Sequence, residues 1–406
     1  MDSSTAVPAG KAQATHAAAP AAQTAGYFIA FVGLGLFAAL LGPTLSGLAA
    51  NTRVTLGEIS ILFPVRSFGY LLGSLAGGRL YDRVRGHPVI AGAFVVIALA
   101  MAVAPVAQTL WLLAAAFFVA SVAEGAVDVG GNTLLVWVHG AKVGPFMNAL
   151  HFCFGLGTFV APLVVAQVIA SSGGHVAWAY WLIALTAIAP VLWHVRVPSP
   201  AHPAVAYDPA NARSHTRTGL AVLMAVFFFL YVGMEIAFGG WIASYAIAIG
   251  YGDAAAAAVL TSAFWGAFML GRLLSVPLAT RLRPQVVMLL DFVLCALGVV
   301  LFLLGGRSPL LLWAGVIVVG LGMAALFPTM ISFAESRMRI TGQVTAIFLA
   351  GSSLGGMTLP WLIGQLFEPV GPQVMPWVVL ICTLATGLTF AVVNVVSQPR
   401  PARSLP

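Results

Sequence analysis

Glu124 and Asp128 stand four residues apart in "EGAVDVGGNTLL" (124–135), inside a stretch from Thr109 to Val138 that is otherwise almost wholly apolar. On a helix turning about 100° per residue they lie about 40° apart on one face, with Asn132 about 40° further round. Gly131 falls on the same side and leaves room for a solute or a neighbouring backbone. Two carboxyls and an amide in this order can hold a small cation among oxygens. They can also trade a proton, because burial and mutual repulsion disfavour two ionised carboxylates side by side. A carboxylate facing lipid costs about 3 kcal/mol or more at the centre of a membrane helix, so this face must meet water or partners. Asp128 is the expected cation-binding residue, with Glu124 and Asn132 assisting; the ion is Na+ or H+. Arg66 is a possible charge partner, and a purely structural pair with it is the competing reading.

Glu235 lies midway through the apolar run 218–249, in "YVGMEIAFGGW". A carboxylate can accept hydrogen bonds from two hydroxyls, and Trp241 and Tyr245 offer ring faces to a C–H surface. Both aromatics are equally suited to helix packing or an interfacial belt. His151 and Asn148 follow the start of the run 144–171 and can hydrogen-bond a polar solute, although a lone His is otherwise a satisfied core residue or a pH switch. Trp265, Gln167, Ser352 and Ser353 are weaker candidates for the same wall, and Asp291 and Arg272 read as structural, Asp291 with Arg283 as a possible partner.

The elements that hold these residues follow from composition. The chain has 406 residues, 61% hydrophobic and 7% charged, whereas a soluble protein carries about 25% charged residues. A bilayer core about 30 Å thick takes roughly 20 apolar helical residues. Such runs recur at 25–50, 57–80, 88–107, 109–137, 144–171, 175–195, 218–249, 253–280, 285–305, 308–334, 342–367 and 373–396. The expected fold class is an all-α membrane protein with twelve transmembrane helices.

The net charge of +7 does not mark a nucleic-acid binder, because Lys and Arg punctuate the apolar runs instead of clustering. With the N-terminus inside, fourteen of the 18 basic residues fall on one face and only Arg53 and Arg307 on the other. Both termini are therefore expected in the cytoplasm. Residues 1–24 lack an apolar signal core and read as a disordered cytoplasmic tail. Two bundles, 25–195 and 218–396, flank a cytoplasmic linker, 196–217, and 397–406 form a second tail. The three cysteines lie within spans and imply no disulfide framework. A phosphate-cradling Gly-rich loop, a His/Cys metal cluster and a soluble catalytic domain are all missing from the sequence, which argues against an enzyme, ATP as energy source, or a bound cofactor. A single copy is expected to suffice.

A shift of 198 residues lays "LLGSLAGGRLYDRVR" (71–85) on "MLGRLLSVPLATRLR" (269–283), and also Gly42 on Gly240, Gly157 on Gly355 and Pro162 on Pro360. Two parallel six-helix repeats are a known plan of membrane carriers. "GGRLYDRVRG" (77–86), between the second and third spans, then resembles the loop signature of the major facilitator superfamily, G-x-L-x-D-R followed by Gly and basic residues. It departs in that Gly86 follows Asp82 by four residues and not three. The resemblance implies that Asp82, with Gly78, Arg83 and Arg85, latches the two halves by capping the eleventh span near Thr341–Thr345.

"DVGGNTLLVW" (128–137), "PFMNALHFCFGLGTFVAPL" (145–163) and "FFFLYVGMEIAFGGWIASYA" (227–246) are similar to the sugar branch that holds the sodium-dependent glucose transporter and fucose-permease-like proteins. That likeness implies a cavity lined by spans 1, 4, 7 and 10. It implies a secondary active transporter, moving a monosaccharide such as glucose or a related hexose by alternating access with Na+ or H+ symport. Asp128, Glu124 and Asn132 would couple the cation, and Glu235, His151, Asn148, Trp241, Tyr245 and Trp265 would bind the sugar. The expected home is the plasma membrane, or the inner membrane of a bacterium. A proton-coupled drug or metabolite exporter on the same fold is the alternative. "FGLGTFVAPLVV" in the fifth span does not match the exporters' G-P-x-x-G-G, and the acids make the cavity too polar for that role. A non-transporting sensor would need an added signalling domain.

Overall fold

The computed structural model describes residues 9–202, 218–305, 308–338 and 340–397. Twelve helical segments among them are long and apolar enough to cross a membrane. In the first half, α1 (Ala9–Ala38) and α2 (Leu41–Thr52) together make the first span, and α3 (Leu56–Ile59) and α4 (Leu62–Tyr81) the second. Then come α5 (Gly86–Val103), α6 (Leu110–His139), α7 (Gly144–Ser172), and a sixth span split into α8 (Ala177–Thr186) and α9 (Ile188–Arg196). The second half holds α10 (Thr218–Ala248), α11 (Ala254–Arg281) and α12 (Pro284–Leu304), then a tenth span broken into α13 (Pro309–Met323) and α14 (Leu326–Arg337). It ends with α15 (Gly342–Val370) and α16 (Val374–Val396).

Local chemistry sets the starts and stops. Thr109, Asp253 and Thr341 each cap a helix by accepting the backbone N–H three residues on, and Thr55 and Glu58 form a reciprocal capping box. Gly173 and Gly371 end α7 and α15 at positive φ, 70° and 104°. The outside of the bundle is apolar, with Leu99, Trp111, Leu310 and Leu388 fully presented to the surroundings, as lipid contact requires.

One expectation is corrected. α1 begins at Ala9, so residues 9–24, expected as an unstructured tail, carry the first span's helix onward. Residues 1–8, 203–217 and 398–406 of the expected tails and linker lie outside the described residues. The start of the linker is docked on the first half: Gln23 donates to Pro198 O at 2.9 Å, the His87 N–H donates to Ser199 Oγ at 2.9 Å, and His202 donates to Tyr81 O at 2.8 Å.

The 198-residue repeat is visible as packing. Ser46 and Ser244, 198 apart, face each other at 3.3 Å across the pseudo-twofold axis. Gly42 and Gly240 bring α2 and α10 so close that a methyl on Gly42 would lie 2.7 Å from Gly239 O and 3.2 Å from Gly240 Cα. Gly157 presses α7 onto the Val32 carbonyl of α1, and its counterpart Gly355 presses α15 onto the Phe229 carbonyl of α10.

The halves are tied at the end remote from the termini. Glu368 Oε1 accepts the Leu56 N–H at 3.0 Å, so α15 caps the start of the second span across the interface. Beside it Gln365 Nε2 donates to Gly57 O at 2.8 Å and to Ser60 Oγ at 3.1 Å. At mid-depth Ser262 Oγ donates to Phe159 O at 2.6 Å, joining α11 to α7.

Candidate functional site

Gly69, Gly73 and Gly77 repeat every fourth residue on α4 and let α6 approach so closely that a methyl on any of them would crowd the backbone at Phe118, Val122 or Ala126. That contact sets two polar rungs between the helices. On the first, Arg66 Nη2 meets Glu124 Oε2 at 3.0 Å, with side-chain exposures of 18% and 5%. Arg66 Nη1 also donates to Ala38 O at 3.1 Å, a carbonyl released where the first span breaks at residues 39–40. Glu124 is thus neutralised by an arginine that is itself tied to α1.

One turn further on, the Tyr70 hydroxyl donates to Asp128 Oδ2 at 2.7 Å. Asn132 Nδ2 donates to Asp128 O at 2.9 Å, with Asp128 Oδ1 at 3.4 Å. Asp128 and Asn132 are both half-buried. The carboxylate is held by neutral donors, and no guanidinium or ammonium compensates it among the described residues. Ser74, a turn beyond Tyr70, keeps a buried Oγ with no hydrogen-bond partner. Oxygens of Asp128 and Ser74 beside the Tyr70 hydroxyl form a donor set suited to a hard monovalent cation, with the Asn132 amide nitrogen turned toward Asp128. No group of three His, Cys, Asp or Glu able to hold a metal is present among the described residues.

A line of contacts leads from this rung into the other half. A methyl on Gly131 would collide with Phe31, and the Phe31 ring stands edge-on to His151, centroids 6.0 Å apart. His151 shares its field with Arg272 of α11, and Arg272 shares its own with Glu235 of α10. Tyr231, one turn before Glu235, interacts with that carboxylate and donates to Met323 O at 2.9 Å, where the tenth span breaks. Each half therefore uses one polar side chain, Arg66 or Tyr231, to satisfy a carbonyl freed by a broken helix. His151, Glu235 and Trp265 are half-buried, and Asn148 is exposed, so all four can be approached.

Several expected residues lie elsewhere. Trp241 and Tyr245 are 0% exposed. Trp241 Nε1 donates to Pro360 O at 2.9 Å while its ring stacks on Phe367, and the Tyr245 hydroxyl donates to Gln373 Oε1 at 3.1 Å. Both are packing residues of the tied end in this conformation, closed to any solute. Asp82, Arg83 and Arg85 are exposed. Asp82 makes no ion pair or side-chain hydrogen bond among the described residues, and Thr341 caps its own helix through Val344 N–H. The expected latch is therefore not engaged here, and nothing lies within 4 Å of a methyl on Gly78. Gln167 lines an apolar hollow of about 610 Å³ with Leu163, Leu182 and Val259, away from the polar line. Ser353 is buried and Ser352 half-buried on α15. Asp291 is buried, 7% exposed, with no ion pair to Arg283 and no partner for Oδ2. Tyr70 and Tyr231 were not among the expected residues. The available signal for Tyr70 was its position four residues after Arg66, matching the spacing of Glu124 and Asp128.

Comparison with known proteins agrees with this architecture. A family profile described as Major Facilitator Superfamily matches residues 26–360. Sodium-dependent glucose transporter 1A of Mus musculus is 32% identical over 375 residues, covering 84% of this chain and 88% of that protein. Sodium-dependent glucose transporter 1 of Homo sapiens is 31% identical over 399 residues, covering 89% of this chain and 77% of that protein. Among solved structures, a point mutant of the nucleoside transporter NupG superposes with a TM-score of 0.74 at 16% identity, over 92% of this chain and 99% of that one, which speaks for the fold alone.

Proposed function

The chain belongs to the Major Facilitator Superfamily and is a multi-pass membrane transporter; from that premise we propose that it is a symporter that takes up a monosaccharide, glucose or a related hexose, with Na+ as the coupling ion. The relatives' name, sodium-dependent glucose transporter, supports both the sugar and the ion. The observation that carries the reading is the unequal treatment of the two acids of α6. Glu124 is neutralised by Arg66, while Asp128 is held only by the hydroxyl of Tyr70 and the amide of Asn132. A half-open carboxylate without a counter-charge attracts a cation; a saturated ion pair does not. Asp128 is the coupling residue, Asn132 orients it, Ser74 contributes an oxygen, and Glu124 with Arg66 sets the geometry.

Glu235, His151, Asn148 and Trp265 form the sugar's surroundings. The acids and hydrogen-bonding groups suit a polar solute better than the greasy solutes of drug exporters. The excess of basic residues at the terminus-bearing end assigns that end to the cytoplasm, and the plasma membrane is the site of action. The opposite end is closed, tied through Glu368 and Gln365. Sodium biases the cycle only through different affinities for the two openings. The functional unit proposed is a monomer.

The test is sugar counterflow and gradient-driven uptake by purified protein in proteoliposomes. Asp128→Asn is expected to abolish accumulation driven by a sodium gradient while sparing sugar exchange. Concentrative uptake at the wild-type level by that variant would remove Asp128 from the mechanism.

A further inference from the structure

Arg66 and Arg272 lie well inside their spans, and their situations differ. Arg66 is paired with Glu124 and also donates to Ala38 O. Arg272 has no ion pair among the described residues, and its Nε is buried without a hydrogen-bond partner. Its guanidinium carbon sits 4.6 Å from the centroid of the Phe268 ring, which covers one face and leaves the donor edge free. Glu235 from α10, Tyr231 from α10 and His151 from α7 all lie within its electrostatic reach. No carboxylate in contact compensates the guanidinium, which leaves its donors available to a ligand.

We propose that Arg272 recognises the transported solute directly and, with Glu235, clamps a pair of adjacent hydroxyl groups. The guanidinium donates to the hydroxyl oxygens, and the carboxylate accepts hydrogen bonds from the hydroxyl O–H groups. The fork geometry of arginine suits two neighbouring oxygens, and a carboxylate complements it from the other side. The ligand class is a neutral polyol: an anionic solute would be drawn to Arg272 but repelled by both Glu235 and Asp128. Because His151 belongs to the first half and Arg272 and Glu235 to the second, a solute at this point touches both halves and can sense their relative motion. This inference rests on the sugar reading above.

The test is equilibrium binding in detergent, followed by tryptophan fluorescence or a radiolabelled ligand, with D-glucose and each of its monodeoxy analogues. Wild-type protein is expected to bind glucose about 10- to 100-fold more tightly than the analogue lacking a clamped hydroxyl. In Arg272→Gln, glucose falls to the affinity of that analogue, while the analogue's own affinity stays within about 2-fold. Arg272→Lys keeps the charge and the ring contact but loses the fork; it is expected to lose most of the discrimination, and it carries the test if the glutamine variant elutes as aggregate. A variant that keeps the wild-type preference, or that weakens glucose and every analogue alike, overturns the clamp and makes Arg272 a packing residue. If wild-type protein neither binds nor transports glucose, the sugar reading itself falls, and the clamp with it.

Discussion

Arg66 meets Glu124, and Tyr70 meets Asp128, at the same sequence separation of 58 residues. α4 and α6 run parallel, so a pair spaced i, i+4 on one helix meets a pair with equal spacing on the other. This ladder decides which acid is structural. Removing one partner of a buried ion pair strands the other, at a cost of about 3–5 kcal/mol, whereas replacing both with apolar residues is often neutral. Glu124→Gln is therefore expected to lower the thermal midpoint in detergent markedly, and Arg66→Met with Glu124→Leu to recover most of the loss. Sodium dependence of uptake should persist in the double variant. If instead it vanishes, Glu124 shares the coupling role. Glu124, Asp128 and Arg66 were legible in the sequence as rare ionisable groups in apolar runs. Their division of labour was not, because two positions about 40° apart on a helix cannot be ranked until the facing helix is known. Trp241 and Tyr245 were misplaced for the same reason: an aromatic type says nothing about which side of its helix is packed.

At the scale of elements, the twelve spans and the repeat followed from apolar run lengths and one gap-free offset, and the packing of Ser46 on Ser244 is that offset made physical. The breaks in the first and tenth spans follow Pro43 and Pro328, each of which lacks the N–H that would bond the carbonyl four residues back, at Ala39 or Ala324, and crowds that carbonyl; hidden were the side chains from other helices that satisfy the neighbouring carbonyls. The tie between α15 and the start of the second span was equally hidden, since Glu368 and Gln365 meet Leu56 and Gly57 more than 300 residues away. These bonds exist only while the far end is shut. Losing them takes stability from this conformation alone, each by about 0.5–1.5 kcal/mol. Glu368→Ala with Gln365→Ala is expected to shift the population toward the outward-open form. Spin labels on the outer ends of α2 and α10 should then report a longer-distance component than in wild type. An unchanged distance distribution would show that apolar packing around Gly42 and Trp241 holds the end closed without them.

For the whole molecule, the charges along the polar line set how the cycle responds to voltage. Arg66 and Glu124 cancel. With Asp128 and Glu235 both ionised, Arg272 positive and His151 neutral, the empty carrier would hold one net negative charge at mid-membrane. A bound sodium ion brings this to zero, and a neutral sugar leaves it there. The loaded carrier then crosses without moving net charge, and the return of the empty carrier becomes the voltage-sensitive step. A potential negative inside favours that return, because it moves negative charge outward. One charge crossing the full field is worth about 2.3 kcal/mol per 100 mV; crossing half of it is worth about 1.1 kcal/mol, roughly 7-fold in the orientation equilibrium. Net uptake into proteoliposomes held at 100 mV negative inside by a potassium gradient and valinomycin should accelerate severalfold at saturating sugar and sodium. Sugar exchange, which never uses the empty return, should be insensitive to the same potential. Arg272→Gln leaves the loaded carrier with one negative charge and should make exchange voltage-sensitive as well. A wild-type carrier whose exchange already responds to voltage would mean that the site carries a different charge from the one its side chains supply.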